Sequence, residues 1–322
     1  MTTESDVSDS LSSSGAPASA KRSLVQNIFL GPDGIRVIWR LLMFLALFRA
    51  VAMCLQFGTA HTALLRDWLN AQPAGLITPG PQIFTEIMFM LAVFIPALIM
   101  SRIEKRPFAA YGLPPAEAFG KRFWQGVPFG FGMMSLLVVG IAAFHGYSME
   151  GISATGGEAI KFAILYGIGF VFVGFFEEFG FRGYLQYTLG SGIGFWPSAL
   201  ILSALFGAAH LSNPGEAKIG AFMAGSFGLL ALFMLRRTGN LWFAVGVHAA
   251  FDWTETFFYG VPDSGMQAQG YLLKSAFHGP DWLTGGSVGP EGSYIVFGVL
   301  IVSAVAVHFM FPARQKALQA GA

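Results

Sequence analysis

Three short runs carry ionisable side chains inside otherwise apolar sequence, and they are where chemistry has to be sought. The first reads VFVGFFEEFGFRGYLQ and holds Glu177, Glu178 and Arg182. The second, SALFGAAHL, ends on His210, and the third, LWFAVGVHAAFDWTETFF, contains His248, Asp252 and Glu255. A charge in hydrocarbon costs several kcal/mol on most scales, so such residues face a bundle interior or a water-filled cavity. Carboxylates and imidazoles are the groups that exchange protons near neutral pH, so together they suit activation of a water molecule. Attack of that water on a peptide carbonyl is the reaction such a set supports.

Helical spacing assigns these residues different tasks. Glu178 and Arg182 are four apart and share a face, which makes them an ion pair. Glu177 is turned ~100° from its neighbour on a helix of ~3.6 residues per turn, leaving it as the free carboxylate. His248 and Asp252 are also four apart, so the aspartate can fix the tautomer and direction of the imidazole. Phe206 stands four residues before His210 and would wall it with an aromatic ring. Arg49, Glu86 and His145 are explained by snorkelling or a helix end and receive no role.

The elements that must position these groups are membrane helices. Hydrophobic residues make up 54% of the 322 positions and charged residues 11%, a balance foreign to a water-soluble domain. A bilayer core needs ~20 apolar residues of helix. On that criterion the fold is an all-α, polytopic transmembrane bundle of about eight helices. The segments fall near 35–57, 82–102, 123–145, 160–181, 194–212, 217–236, 240–259 and 292–311. Residues 1–24 are polar and form a disordered tail; 25–322 form one membrane-embedded helical domain. Cys54 lies in an apolar run without an intrachain partner and fits a small core filler. The net charge of +1 and scattered basic residues give no sign of a nucleic-acid partner.

Lys21, Arg22, Arg36, Arg40, Arg102, Lys105, Arg106, Lys121, Arg122, Arg236, Arg237, Arg314 and Lys316 all fall on one side of alternating spans. By the positive-inside rule that side is cytoplasmic, as are both termini, which suits a bacterial cytoplasmic membrane. The Gly- and Pro-rich stretch 260–291 is then an opposite-side loop, a connector or a gate that guides substrate. With segment four ending near 181, Glu177 and His210 sit near opposite ends of their spans, ~15 Å apart at ~1.5 Å rise per residue. A bend at Gly180 or Gly183, or long tilted helices, must close that gap.

At these residues the sequence resembles the CPBP family of intramembrane proteases, whose members include the CAAX prenyl endopeptidases and bacteriocin-resistance proteins. The family pattern is Glu-Glu-x-x-x-Arg, Phe-x-x-x-His and His-x-x-x-Asn or Asp, met here by Glu177, Glu178 and Arg182, by Phe206 and His210, and by His248 and Asp252. The resemblance covers roughly 105–260. It implies that Glu177, helped by His210, activates the attacking water, that His248 and Asp252 stabilise the oxyanion, and that Glu178 and Arg182 hold the site together. The prenyl endopeptidases carry asparagine where this chain has Asp252, so that carboxyl is either protonated or orients a charged His248. The implied substrate is a membrane-bound or lipid-anchored protein or peptide, cut near the cytoplasmic side, with no cofactor. Zinc held by Glu177, His210 and His248 is the mechanistic alternative. A non-catalytic scaffold or bacteriocin-immunity factor, or a proton-coupled transporter, are the alternatives in other function classes.

Overall fold

The computed structural model describes residues 23–32, 34–73, 75–212 and 218–312. Most of the expected tail, together with Lys21, Arg22, Arg314 and Lys316, lies outside the described residues. The chain divides into two units, Met1–Arg36 and Val37–Ala322. In the first, Ser23 caps the short helix α1 (Leu24–Phe29) in a capping box with Gln26, and β1 (Leu30–Gly31) pairs antiparallel with β2 (Gly34–Ile35).

The second unit is the helical bundle. Its elements begin with α2 (Val37–His61), α3 (Ala63–Asn70), β3 (Leu76–Ile77), α4 (Pro79–Ile103), α5 (Lys121–Ala143), β4 (Tyr147–Ile152) and α6 (Gly156–Arg182). Then follow α7 (Tyr184–Ile193), α8 (Phe195–His210), α9 (Lys218–Thr238), α10 (Trp242–Trp253) and a π-helical stretch, Thr254–Tyr259. The chain continues through β5 (Gln267–Ala268), β6 (Leu273–Phe277), α11 (Asp281–Thr284) and α12 (Ile295–Met310). Among the described residues five helical runs are long and apolar enough to span a bilayer, while α8 and α12 are shorter apolar helices. α10 reaches spanning length only with its π-helical extension.

These helices are apolar on their outer faces too. Leu136, Val139, Ile160, Ile164, Leu200, Leu205, Ile301 and Val305 are all exposed. Outward aliphatic side chains on many helices are the mark of a chain whose solvent is lipid. Cys54 belongs to the same outer surface: it is exposed, not the core filler expected from its neighbours. No hydrophobic force drives helices together inside hydrocarbon, so small residues let backbones approach. A Cβ on Gly130 would lie 2.1 Å from the Val247 carbonyl, one on Gly126 2.3 Å from that of Phe243, and one on Gly207 2.3 Å from that of Ala221. Hence α5 is pressed onto α10, and α8 onto α9.

Segment four departs from expectation. It does not end near 181 but continues through Gly183 into α7, making a 38-residue apolar run, Gly156–Ile193. Glu104 holds α7 in place, accepting from the Tyr184 hydroxyl at 2.5 Å and pairing with Arg40 at 2.6 Å. At Gly194, with φ +87°, the chain reverses into α8. Glu177 precedes Gly194 by nearly as many residues as His210 follows it, so the two arms return to a common level. Of the two glycines where a break was expected, Gly180 stays helical and Gly183, with ψ −113°, interrupts the run between α6 and α7.

The 260–291 stretch is tied to the bundle. Its β6 pairs antiparallel with β4, from Tyr147 opposite Phe277 to Ile152 opposite Leu273, and β5 runs parallel to β3. The Tyr166 hydroxyl, on α6, lies 3.0 and 2.7 Å from the carbonyls of Ile77 and Gln269.

Candidate active site

Helices α6, α8 and α10 deliver the motif residues to one cavity of about 680 Å³, lined among others by Glu177, Phe206, His210, His248 and Asp252. The spacing of the motifs explains the convergence. Arg182 lays its guanidinium over the Phe206 ring at 4.0 Å, and Phe181 meets the same ring edge-on at 5.0 Å. Because α6 and α8 run in opposite directions, one turn back from Arg182 and one turn on from Phe206 reach the same height. The first step arrives at Glu177 and Glu178, the second at His210.

His248 is the hub. Its Nδ1–H donates to Glu178 Oε1 at 2.7 Å, and its Nε2 faces Glu177 Oε2 at 3.3 Å and Asp252 Oδ2 at 3.5 Å. Glu178, not Asp252, therefore makes the short bond that orients this imidazole. A carboxylate on one ring nitrogen fixes which way the other points, here into the cavity. Glu178 is fully buried and its Arg182 partner stands at 3.5 Å, so one carboxylate oxygen serves both a guanidinium and an imidazole. The Arg182 Nη1 also donates to the Glu177 carbonyl at 3.3 Å. Gly228 makes room for it, since a Cβ there would stand 2.5 Å from Nη2. Glu177 is not solitary either, given its contact with His248, but its side chain keeps 20% of its surface open.

His210 is half-buried. Its Nδ1–H donates to its own helix at the Phe206 carbonyl, 2.9 Å away, with the Phe206 ring edge-on at 4.5 Å. A backbone carbonyl only accepts, so Nδ1 carries the proton and Nε2 of the neutral ring is left with a lone pair. Phe227 closes one side of His248 at 5.3 Å.

Four further acids surround this set. Glu86, assigned to a helix end by sequence, instead lies about two turns inside α4 and lines the cavity. Asp263 and Glu291, from the 260–291 loop, line it as well, and fully buried Glu255 stands behind them. Burial pushes the Asp263 carboxyl up to about 6 against the pull of the Thr256 hydroxyl, and the Glu177 charge adds to the push. Only Glu86 and Glu255 carried a sequence signal, an acid inside an apolar segment; the loop acids lie among ordinary polar residues.

The cavity lies towards one end of the spans. Arg102, Lys105, Arg106, Lys121, Arg122, Arg236 and Arg237 cluster at one end of the spans. Gln82, Ser212, Asp263, Ser264 and Glu291, the cavity's polar wall, belong to the other end or lie close to it. Leu45, Phe89 and Leu205 line the cavity and are also exposed on the outer surface, so it reaches the lipid-facing side.

Residues 159–254 match a family model described as type II CAAX prenyl endopeptidase, Rce1-like. The match spans α6 to α10 and contains every motif residue. No curated protein matches the chain.

Proposed function

With an Rce1-like CAAX endopeptidase domain at residues 159–254, we propose that this integral membrane protein is an intramembrane endopeptidase that hydrolyses a peptide bond in a membrane-associated or lipid-anchored substrate. The observation that carries this reading is one cavity lined by a partly open Glu177, in contact with His248, and by His210, two imidazoles whose Nδ1 atoms are both engaged elsewhere, at Glu178 and at the Phe206 carbonyl. Both rings thereby turn their Nε2 atoms to the reacting space.

In this mechanism Glu177, assisted by His210, takes a proton from water as its oxygen attacks the scissile carbonyl carbon. The oxyanion that forms is met by a proton on His248 Nε2, whose direction the short Glu178 bond fixes in advance. Collapse breaks the carbon–nitrogen bond, and Glu177 returns its proton to the leaving amine. Glu178 and Arg182 do not touch substrate; they hold His248 and Phe206 in register. Asp252 sets the charge on the His248 ring. The apolar lining of Phe44, Phe48, Phe89 and Phe176 suits an acyl or prenyl chain that slides in from the bilayer.

The arrangement of lysines and arginines favours cytoplasmic termini. The polar wall of the cavity then faces the extracytoplasmic side, and cleavage near the cytoplasmic side, expected from the sequence, is replaced by cleavage in the outer half of the membrane. The substrate class that follows is an exported, membrane-tethered peptide or protein.

The same three side chains, Glu177, His210 and His248, would also suit zinc, and one experiment separates the two mechanisms. Detergent-purified protein is given quenched lipidated peptides, with and without a zinc-selective chelator, beside Glu177→Gln. Cleavage that disappears in the variant and survives chelation is the expected result. Loss on chelation assigns the reaction to zinc, and cleavage unchanged in Glu177→Gln removes Glu177 from the site.

A further inference from the structure

Behind the cavity wall three carboxylates gather around one that is fully buried. Glu255 comes from the first turn of the π-helical stretch, Asp263 from the turn that follows it, and Glu291 from a short 3-10 turn, Pro290–Gly292. One oxygen from each lies within 4.8 Å of the others. Glu255 is 0% exposed, and neither of its oxygens receives a hydrogen bond; the Glu291 backbone N–H faces it without closing one. Among the described residues no lysine or arginine stands within ion-pair distance of Glu255 or Asp263. The Thr256 hydroxyl donates to Asp263 Oδ2 at 2.9 Å, and the Ser264 backbone and hydroxyl both donate to Glu291 Oε2 at 3.2 Å. Those bonds aim the remaining oxygens inward at Glu255.

Buried charge is kept in proteins only when it is paired, hydrogen-bonded or bound to metal. Here the fully buried member of the trio has neither of the first two. Oxygen-only donors select hard cations such as calcium and magnesium. Gly289 fits the same picture. It holds a φ of +108°, and a Cβ there would stand 3.4 Å from Glu255 Oε1 and 2.1 Å from the Pro262 carbonyl, so the loop passes this point only without a side chain.

We propose that Glu255, Asp263 and Glu291 form a binding site for a hard divalent cation, with calcium as its probe, that fastens the 260–291 loop to the end of segment seven. The site is separate from Glu177, His210 and His248, and it does not depend on the protease reading. Asp263 and Glu291 also line the large cavity, so the cation braces one of its walls. Water completes its coordination from that side.

The test uses full-length protein in detergent, stripped with a chelator and then titrated with calcium chloride, with magnesium and manganese chloride in parallel. Binding is read by calorimetry and by the thermal unfolding midpoint. The expected result is saturable calcium heat with a raised midpoint in the wild type and in Glu177→Gln, and loss of both in Glu255→Gln and in Asp263→Asn. Two near-isosteric variants guard against one that fails to fold. No response of the wild type to any of the three salts overturns the site. So does a response that survives both carboxamide variants, or one that Glu177→Gln abolishes, since the cation would then sit elsewhere.

Discussion

Two neighbouring regions of this molecule treat buried charge in opposite ways. In the helical core, Glu178 is answered by Arg182 and His248, the guanidinium lying over the Phe206 ring and the imidazole standing edge-on to Phe227. In the loop wall a few residues away, Glu255 is fully buried beside Asp263 and Glu291, and among the described residues no lysine or arginine pairs with Glu255 or Asp263. The core thus sets cation against anion, although Glu178 Oε2 and Arg182 Nε and Nη2 find no hydrogen bond among the described residues, whereas no described lysine or arginine neutralises Glu255. Such a contrast separates a permanent framework from a part whose order can depend on conditions.

The comparison can be broken at several points. The largest effect is expected at Glu177→Gln, which removes the proposed base but no buried pair. Peptide cleavage should fall about 10² to 10⁴-fold while the unfolding midpoint stays near wild type. Glu178→Gln attacks the framework itself. It strands Arg182 and weakens the His248 bond, and removing one partner of a buried pair costs about 3–5 kcal/mol, so denaturant unfolding should shift by that order with activity lost alongside. Gly228→Ala drives a methyl group into the Arg182 guanidinium, where overpacking costs about 1–3 kcal/mol. Activity should fall in proportion as Phe206 and His210 are displaced. At the small end, Lys274→Met breaks the exposed Lys274–Glu150 pair, 3.0 Å long, between β6 and β4. No measurable change in midpoint is expected, because exposed pairs are screened by water and salt. A large effect there would mean that the sheet, not the cation, carries the stability of the loop.

Much of this was legible in the sequence. Helical periods and apolar lengths located the membrane segments, and four-residue spacings identified the Glu178–Arg182 and Phe206–His210 contacts. Those are local features, and local spacing encodes them. What spacing does not encode is contact between distant segments. The short bond from His248 to Glu178 joins residues 70 positions apart, and sequence favoured Asp252, the partner one turn away. Gly183 does break segment four, as a glycine there suggests, but the resumption of helix in α7 straight after it was hidden. Asp263 and Glu291 looked like ordinary loop acids. Only the pairing of β6 with β4 and of β5 with β3, which folds the loop back onto the bundle, turns them towards the cavity.

The reversal at Gly194 has a bearing on how this chain tolerates change. Because Glu177 and His210 lie on matched arms of one hairpin, their meeting depends on the number of residues in each arm more than on what most of those residues are. A single insertion in α7 would slide its neighbours by ~1.5 Å and swing the helix by ~100°, carrying Glu177 away from His210. Substitutions on the lipid-facing side of these arms should be absorbed with little effect. Outside its site and close-packing residues, the stretch from 177 to 210 is therefore a ruler, fixed in length more than in letters.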